Sequence, residues 1–266
     1  MKKNNILFVG AGRMAQAIIG SLMGDSRFNI TVTNSGNKQR LKDVQETYGV
    51  RVVENWKESI ENVDLIVLAA PPDVHASIIA EMNPWIKSQL VVTVAAGIGP
   101  SWLEERLPHQ TSVVWLMPNT AAKVGQSSTL CALGQHVDEL QLEMIKSLLT
   151  NIGSYEIVSE HQVHQLTAIT GSSPAFVYQL AEGLVSSAKQ SGVTEEQAKR
   201  MVAQMILGAA SMLKTGESPQ KLIDEVATPG GSTAAGLQVL DYHHFTEVIS
   251  EAVEACRKKA SKDVNE

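Results

Sequence analysis

Positive charge is scarce in this chain of 266 residues. Its 22 Lys and Arg residues are outnumbered by 28 Asp and Glu residues, which gives a formal net charge of −6. A nucleic-acid surface normally shows a basic face. The one basic cluster, Arg257, Lys258, Lys259 and Lys262, ends a predicted helix, where it complements the helix dipole. We therefore expect no nucleic-acid partner.

Cysteine and aromatic residues are also few. The two cysteines, Cys131 and Cys256, have no CxxC spacing, which predicts reduced structural thiols in a cytoplasmic protein. His161 and His164 stand one helical turn apart without an evident third ligand, so no metal site is expected. Aromatic residues make up 5% of the chain, so the core must rely on aliphatic side chains and methionine.

Long apolar runs are missing as well. The apolar stretch near the N-terminus ends at Gly10 without a small-residue cleavage site, which favours a first strand over a signal peptide. No segment reaches the roughly 18 apolar residues that a membrane span needs, so no membrane association is expected.

Residues 1–161 alternate short Val- and Ile-rich runs with helical patterns, and we predict that they form one domain. Several of the runs are apolar throughout, as in parallel strands that are buried on both faces. The predicted strands are residues 6–9, 30–33, 50–53, 65–70, 90–96 and 112–116. This alternation predicts an α/β fold with a Rossmann-type, doubly wound parallel sheet.

Residues 162–266 follow a helical period instead and form the second predicted domain, which is all-α. Its helices carry wide apolar stripes, for example over residues 175–190 and 201–213. These stripes hold more apolar surface than a small helical unit can bury alone. We therefore expect a dimerisation domain that joins copies of the chain in a homo-oligomer.

The sequence GAGRMA, residues 10–15, lies between the first strand and the first helix. In that context Gly10 permits a tight turn, Gly12 lets the backbone approach a pyrophosphate, and Ala15 allows close packing of helix and strand. The helix N-terminus supplies unpaired N–H donors for phosphate. The pattern favours a dinucleotide site over a simple glycine turn.

The end of the second strand bears on which dinucleotide binds. An NAD site usually has Asp or Glu there, whereas this chain reads Thr33-Asn34-Ser35-Gly36-Asn37-Lys38. Asn34 and Ser35 can hydrogen-bond a 2′-phosphate, and Lys38 or Arg40 can supply charge. We expect NADPH, with NADH as the alternative.

Three further motifs each allow a structural and a functional interpretation. MPNT, residues 117–120, follows the last predicted strand and is either a strand-exit turn or part of the ligand site. TGSSPAF, residues 170–176, and TPGGST, residues 228–233, each precede a predicted helix. Ser172 or Ser173, and Ser232 or Thr233, would cap these helices. The same helix N-termini could bind a small carboxylate.

Together, GAGRMA, MPNT, TGSSPAF and TPGGST resemble the Δ1-pyrroline-5-carboxylate reductase family over nearly the whole chain. The resemblance implies a Rossmann domain followed by a helical domain that interlocks across a homodimer, or in a higher assembly of dimers. It implies reduction of the cyclic imine 1-pyrroline-5-carboxylate to L-proline, the last step of proline biosynthesis, with NADPH or NADH.

The resemblance also assigns residues. Thr233 matches the family threonine that hydrogen-bonds the substrate's ring nitrogen, and Asn119 would lie near the nicotinamide. The cofactor site would comprise Gly10, Ala11, Gly12, Arg13, Met14, Asn34, Ser35, Ala70, Pro71, Pro118 and Asn119. The substrate site would comprise Ser172, Ser173, Gly230, Gly231, Ser232 and Thr233.

Several positions depart from the family pattern. Pro71 stands where Lys is usual, Ser35 and Trp115 where Arg is usual, and His164 where Asp is common. These departures leave two alternatives open. One is a paralogue that reduces another small cyclic imino acid, and the other is a catalytically weak, nucleotide-binding regulatory paralogue.

Overall fold

The computed structural model of the protein describes the backbone of residues 3–265 and the side chains of residues 3–260. One sheet in this part of the chain has the strand order β3-β2-β1-β4-β5-β6-β7-β8. The strands are β1 (Asn4–Val9), β2 (Phe28–Thr33), β3 (Arg51–Val53), β4 (Leu65–Leu68), β5 (Leu90–Thr93), β6 (Val113–Met117), β7 (Ser127–Leu133) and β8 (Gly153–Ile157). All six predicted strands are present, and β1 to β6 pair in parallel.

Two of the predicted strands end earlier than their apolar runs. β4 stops at Leu68 and β5 at Thr93, so Ala69–Ala70 and Val94–Ala96 leave the sheet at its carboxyl edge. The order of the strands reverses between β1 and β4, which are neighbours in the sheet although β2 and β3 lie between them in sequence. Ligands of doubly wound sheets bind in the crevice at such a switch point.

The sequence analysis did not predict β7 and β8. β7 pairs antiparallel with β6, and β8 pairs parallel with β7, so the parallel part of the sheet ends at β6. β8 has little apolar character and is half exposed, which explains why its pattern is weak in the sequence.

Helices cover both faces of the sheet. They are α1 (Arg13–Leu22), α2 (Lys38–Tyr48), α3 (His75–Met82), α4 (Pro100–Glu104), α5 (Glu139–Ile152) and α6 (Glu160–Thr167). Ile6 and Phe8 of β1 pack in the same core as α1, α2 and α5, whereas Leu7 and Val9 pack in the core that contains α3 and α4. This alternation along a strand buried on both faces confirms the doubly wound α/β prediction.

The remaining helices are α7 (Pro174–Lys189), α8 (Glu195–Leu213), α9 (Pro219–Val226), α10 (Ser232–Tyr242) and α11 (Phe245–Asn265). The chain divides into two compact units, one running to Gly171 and joined by the segment from Arg257 onward, the other comprising Ser172–Cys256. Within the second unit the buried apolar cluster is small and contains Val185, Ala198 and Val202. None of the helices in residues 3–265 is both long enough and apolar enough to cross a bilayer.

Candidate active site

A cleft of about 800 Å³ lies at the carboxyl edge of the sheet, in the first unit. It opens at the switch point between β1 and β4, where a doubly wound sheet binds its ligand. Nine residues of the predicted cofactor site line it: Gly10, Ala11, Gly12, Arg13, Met14, Asn34, Ser35, Ala70 and Pro71. The cleft therefore brings together residues from three separate parts of the sequence.

The glycine loop has the geometry that a pyrophosphate requires. Gly10 has φ +111°, and a Cβ there would lie 2.6 Å from the backbone oxygen of Ala69, so only glycine fits. Gly12 is the N-cap of α1 and makes no side-chain cap hydrogen bond. A Cβ at Gly12 would meet only the Ala69 oxygen, at 3.9 Å, so the space in front of the helix is open. The unpaired N–H groups of this helix turn face that space and fit the phosphates of a dinucleotide.

Two asparagines, Asn34 and Asn37, fix the loop that follows β2. The Asn34 Oδ1 accepts a hydrogen bond from the Ala11 backbone N–H at 3.3 Å, which ties this loop to the glycine loop. Asn37 caps α2 through a bond from the Arg40 N–H to its Oδ1, 2.9 Å long. The Lys38 ammonium is paired with Glu54 at 2.7 Å. Arg40 lines the cleft beside this loop and, like Arg13, has no ion-pair partner among the described residues, so it is a cation available to a phosphate.

The opposite wall follows β4 and β5 and was only partly predicted. Val94 and Ala95 line it, and the indole Nε1 of Trp115 donates to the Ala95 carbonyl at 2.9 Å. Trp115 also contacts His164, with ring centroids 4.7 Å apart. Burial lowers the pKa of His164, although Glu160 opposes that shift. Two departures from the family pattern are therefore in contact with each other.

Other cleft residues were missed by the sequence analysis. They follow strand ends or lie on and just before α3, and they comprise Glu54, Asn55, Trp56, Val74, Ser77, Ile78, Glu81, Val94 and Ala95. A position just beyond a strand end is the signal that could have identified those that follow β3 and β5.

Pro118 and Asn119 do not line this cleft. Both halves of the Asn119 amide bind protein: the Oδ1 caps the turn Thr120–Val124 by accepting from the Ala121 N–H, and the Nδ2 donates to the Thr170 carbonyl at 2.9 Å. The side chain is 8% exposed. Of the two interpretations of MPNT, the structure shows the strand-exit turn, in which the Asn119 amide holds Thr170.

TGSSPAF contains the start of α7, but without the predicted side-chain cap. Residues 168–172 form a π-helical turn that continues α6, and Ser173 precedes α7 in helical geometry without a side-chain cap hydrogen bond. The predicted cap at Ser172 or Ser173 is therefore wrong, because the preceding helix runs into this segment and leaves no free first turn. π-helical turns recur at functional sites.

TPGGST also differs from its predicted cap. Gly231 is the N-cap of α10 and makes no side-chain cap hydrogen bond, so Ser232 and Thr233 occupy the first two helical positions. Gly230 has φ +75°, and Gly231 donates to the Thr228 carbonyl at 2.9 Å, which closes the turn. The cap prediction for Ser232 or Thr233 is wrong, and the consequence is that both hydroxyls stay exposed beside an uncapped helix N-terminus.

Thr233 also lines an apolar pocket of about 410 Å³ within the helical unit. The walls are mainly Met212, Leu213, Leu222 and Ile223 of α8 and α9. A hydroxyl therefore borders apolar walls and open backbone donors, a combination suited to a small molecule with a carboxylate and a hydrocarbon ring.

The described residues include no group of three or more His, Cys, Asp or Glu side chains that could hold a metal. Cys131 and Cys256 form no disulfide. Burial raises the pKa of the Cys131 thiol to about 12, so this thiol is not a nucleophile at neutral pH.

Two protein-family models match the sequence. One, described as pyrroline-5-carboxylate reductase dimerisation, matches residues 160–263. The other, described as NADP oxidoreductase, coenzyme F420-dependent, matches residues 5–97, which include the glycine loop.

Similar proteins cover nearly the full chain. Pyrroline-5-carboxylate reductase 2 of Bacillus subtilis (strain 168) is 35% identical over 98% of this chain and 95% of its own length. The reductase of Staphylococcus aureus (strain COL) is 31% identical over 94% of both chains. A structure of the reductase from Coxiella burnetii superposes with a TM-score of 0.88 at 30% identity over 98% of both chains. The Plasmodium falciparum enzyme, solved with NADP bound, gives 0.88 at 26% identity over 99% of both chains. With this full-length similarity and a glycine-loop cleft at the switch point, the chain belongs to the pyrroline-5-carboxylate reductase family.

Proposed function

We propose that the protein reduces 1-pyrroline-5-carboxylate to L-proline, the last step of proline biosynthesis, with NAD(P)H as the cofactor. The observation that carries this proposal is the similarity to pyrroline-5-carboxylate reductases of the genus Bacillus, at 35% identity over 98–99% of the chain. Because these relatives are all named for the reduction of pyrroline-5-carboxylate, the similarity favours this substrate over another cyclic imino acid. It also favours an enzyme over a purely regulatory protein.

The cofactor site is the cleft beside the glycine loop. The glycine loop of residues 10–14 holds the pyrophosphate through the backbone N–H groups at the start of α1, and Asn34, Ser35 and Arg40 surround the adenosine ribose. NADPH is the preferred form, because Arg40 offers an unpaired guanidinium while the Glu54 carboxylate is neutralised by Lys38. When bound, the reduced nicotinamide supplies the hydride.

The substrate site is the TPGGST turn. The backbone N–H groups that follow Gly231 have no side-chain cap to compete with a ligand, so they can bind the substrate carboxylate. Ser172, Ser173, Gly230, Gly231, Ser232 and Thr233 form this site in our proposal. Pro118 and Asn119 remain in the proposed cofactor site, where Asn119 fixes the turn after β6 through its hydrogen bonds with Ala121 and Thr170.

The reaction needs little from acidic or basic side chains. A protonated imine carbon accepts hydride readily, so the protein must mainly orient the reactants and keep the ring nitrogen protonated. The Thr233 hydroxyl is assigned to that nitrogen, as a hydrogen-bond partner that stabilises its N–H and, through water, supplies a proton. This fits a helical unit whose pocket lining offers a hydroxyl rather than a histidine.

The protein is proposed to act as a homodimer, or as a higher assembly of dimers, through its helical part. Sixteen of the 22 large apolar side chains that are exposed in the described residues lie between Val177 and Ile249. The dimerisation model covers the same region. We propose that the dimerisation domain begins at residue 162, after the dinucleotide-binding domain of residues 1–161. The two unpaired cysteines support a cytoplasmic location.

A direct assay tests the function. Purified protein is mixed with 1-pyrroline-5-carboxylate and NADPH or NADH, and the loss of the reduced-nicotinamide absorbance is followed. Turnover that yields L-proline is the expected result, whereas its absence with both cofactors contradicts the proposal.

The role of Thr233 has its own pair of variants. Thr233→Ala should lower kcat by about 10²-fold and leave the binding of NADP⁺ intact, while Thr233→Ser should retain most activity because it keeps the hydroxyl. Unchanged kcat in Thr233→Ala would remove the hydroxyl from the mechanism.

A further inference from the structure

His75 connects the two loops that form one wall of the cofactor cleft. It is fully buried at the start of α3. Its Nδ1 lies 3.0 Å from the Pro71 carbonyl oxygen, and its Nε2 lies 3.2 Å from the Thr93 Oγ1. The Thr93 hydroxyl, also fully buried, accepts a hydrogen bond from the Ala95 N–H at 3.1 Å.

The chemistry of these groups fixes the position of every proton in this hydrogen-bond network. A carbonyl oxygen only accepts, so the His75 Nδ1 must donate to Pro71. A neutral imidazole then has an acceptor at Nε2, to which the Thr93 hydroxyl donates while its own lone pair accepts from Ala95. The Pro71 carbonyl also accepts from the Val74 N–H at 3.3 Å, but the donor and acceptor roles of His75 and Thr93 are fixed, so the network has a single arrangement.

The peptide groups of Ala95 are held on both sides. Thr93 binds its N–H, and the buried Trp115 binds its carbonyl through Nε1 at 2.9 Å. Pro71 and Ala95 both line the cleft, beyond the ends of β4 and β5. We call the set His75, Thr93 and Trp115 the brace.

The brace lies on one half of the cleft. In a doubly wound sheet the dinucleotide spans the switch point, with one mononucleotide on each half of the sheet. The glycine loop and Asn34 belong to the half formed by β1 to β3, where the adenosine ribose is assigned. The loops after β4 and β5 belong to the other half, so they face the nicotinamide.

We propose that His75, Thr93 and Trp115 are positioning residues for the nicotinamide, and that they act by fixing the backbone at Pro71 and Ala95. This inference rests on the proposed function, since it requires a nicotinamide cofactor in the cleft. The brace touches the cofactor only through the two loops that it holds. Its loss should therefore affect alignment and nicotinamide binding while sparing the adenosine half.

The test uses Thr93→Val, which keeps the size of the side chain and removes the hydroxyl that joins His75 to Ala95. Two ligands are titrated: NADP⁺, and 2′-phosphoadenosine diphosphoribose, which is the same molecule without the nicotinamide. Thr93→Val should bind the second ligand within about twofold of wild type, bind NADP⁺ more weakly, and lose about tenfold in kcat. Thr93→Ser keeps the hydroxyl and should restore both values.

A matched control is Thr111→Val. Thr111 is also buried, at 6% exposure, and its hydroxyl donates to the Pro108 carbonyl outside the cleft lining. This variant should lose stability without a change in either affinity. If Thr93→Val fails to fold, Trp115→Phe removes the bond to the Ala95 carbonyl and keeps an aromatic ring, and the same selective loss is expected.

Two results would overturn the inference. One is a Thr93→Val enzyme with wild-type kcat and affinities. The other is an equal loss of both ligands, which would mean that the whole cleft is disturbed. Neither result concerns the proposed function itself, which fails if the wild-type protein does not turn over the imine with NADPH or NADH.

Discussion

The side-chain amide of Asn119 holds the carbonyl of Thr170, 51 residues further along the chain, at 2.9 Å, while its oxygen caps the turn that follows β6. Thr170 lies in the π-helical turn between α6 and α7, where the regular helical hydrogen bonding is interrupted. Asn119 therefore couples the last parallel strand to this turn.

Asn119→Asp should destabilise the fold by about 1–3 kcal/mol, because a carboxylate oxygen would face the Thr170 carbonyl without a proton between them. The free energy of unfolding in urea measures this loss. Asn37→Asp is the matched control: Asn37 also caps a helix through its Oδ1, on the exposed surface, and Asp caps equally well. A similar loss of stability in both variants would show that the loss comes from the caps and that the hydrogen bond to Thr170 contributes nothing.

Arg40→Ala should raise KM for NADPH by about ten- to a hundredfold, since a hydrogen bond to a charged group is worth about 1.5–3 kcal/mol. KM for NADH should change little, because NADH has no 2′-phosphate. Lys42→Ala, on the same helix but outside the cleft lining, should change neither value. Equal effects on the two cofactors would remove Arg40 from phosphate recognition.

Alanine substitutions of two glycines in the same loop, Gly10 and Gly12, should differ strongly in their effect on stability. Gly10→Ala should cost about 2–5 kcal/mol of stability, because a Cβ would be strained at φ +111° and would collide with the backbone of Ala69 and Ala70. Gly12→Ala should leave stability within about 1 kcal/mol, since its Cβ has no neighbour closer than 3.9 Å.

Gly12→Ala should nevertheless weaken NADP⁺ binding at least about tenfold, because the new methyl group occupies the space that the pyrophosphate needs. Thermal unfolding without ligand and isothermal titration with NADP⁺ separate the two effects. Normal affinity in Gly12→Ala would place the pyrophosphate elsewhere.

Buried His75 should make the fold sensitive to mild acid. Burial lowers its pKa from the ordinary 6.5, although the bond to Pro71 and the charge of Asp73 partly oppose the shift. The unfolded chain then binds a proton below about pH 6.5 that the folded protein resists, so stability is present above that pH and is lost as the pH falls below it.

His75→Gln should reduce this slope of unfolding free energy against pH, which for one group cannot exceed about 1.4 kcal/mol per pH unit. Urea titrations between pH 7 and pH 5 measure it in both proteins. An identical slope in the variant would mean that other groups, such as the half-buried His164, cause the acid sensitivity.

Local sequence patterns were sufficient for the sheet core and the glycine loop. The apolar runs and the GAGRMA spacing are local and strong, so β1 to β6 and the glycine-loop side of the cleft could be predicted. The caps were less predictable. Serine is a better N-cap than glycine by local preference, but Gly231, in extended geometry, is the N-cap residue of α10. Before Pro174, the π-helical turn that continues α6 occupies the place where a capped first turn was expected.

The brace could not be predicted from the sequence in any part. The residues that it joins span 45 positions of the sequence and meet only because β4, β5 and β6 pair in parallel with a fixed register: Pro71, His75, Thr93, Ala95 and Trp115. Thr93 is the one polar residue in the apolar run of residues 90–96, but nothing in the local sequence shows which groups its hydroxyl binds. β8 was missed for a related reason, since it owes its place to the pairing with β7 rather than to apolar character.

The small buried cluster of the helical unit has a consequence for how the protein responds to dilution. Val185, Ala198 and Val202 leave long helices such as α8 with much of their apolar surface in solvent in a single copy. Association that covers this surface adds its free energy to folding by mass action, so the midpoint of thermal unfolding should rise with protein concentration. The amount of protein present would then set its lifetime as well as its total activity.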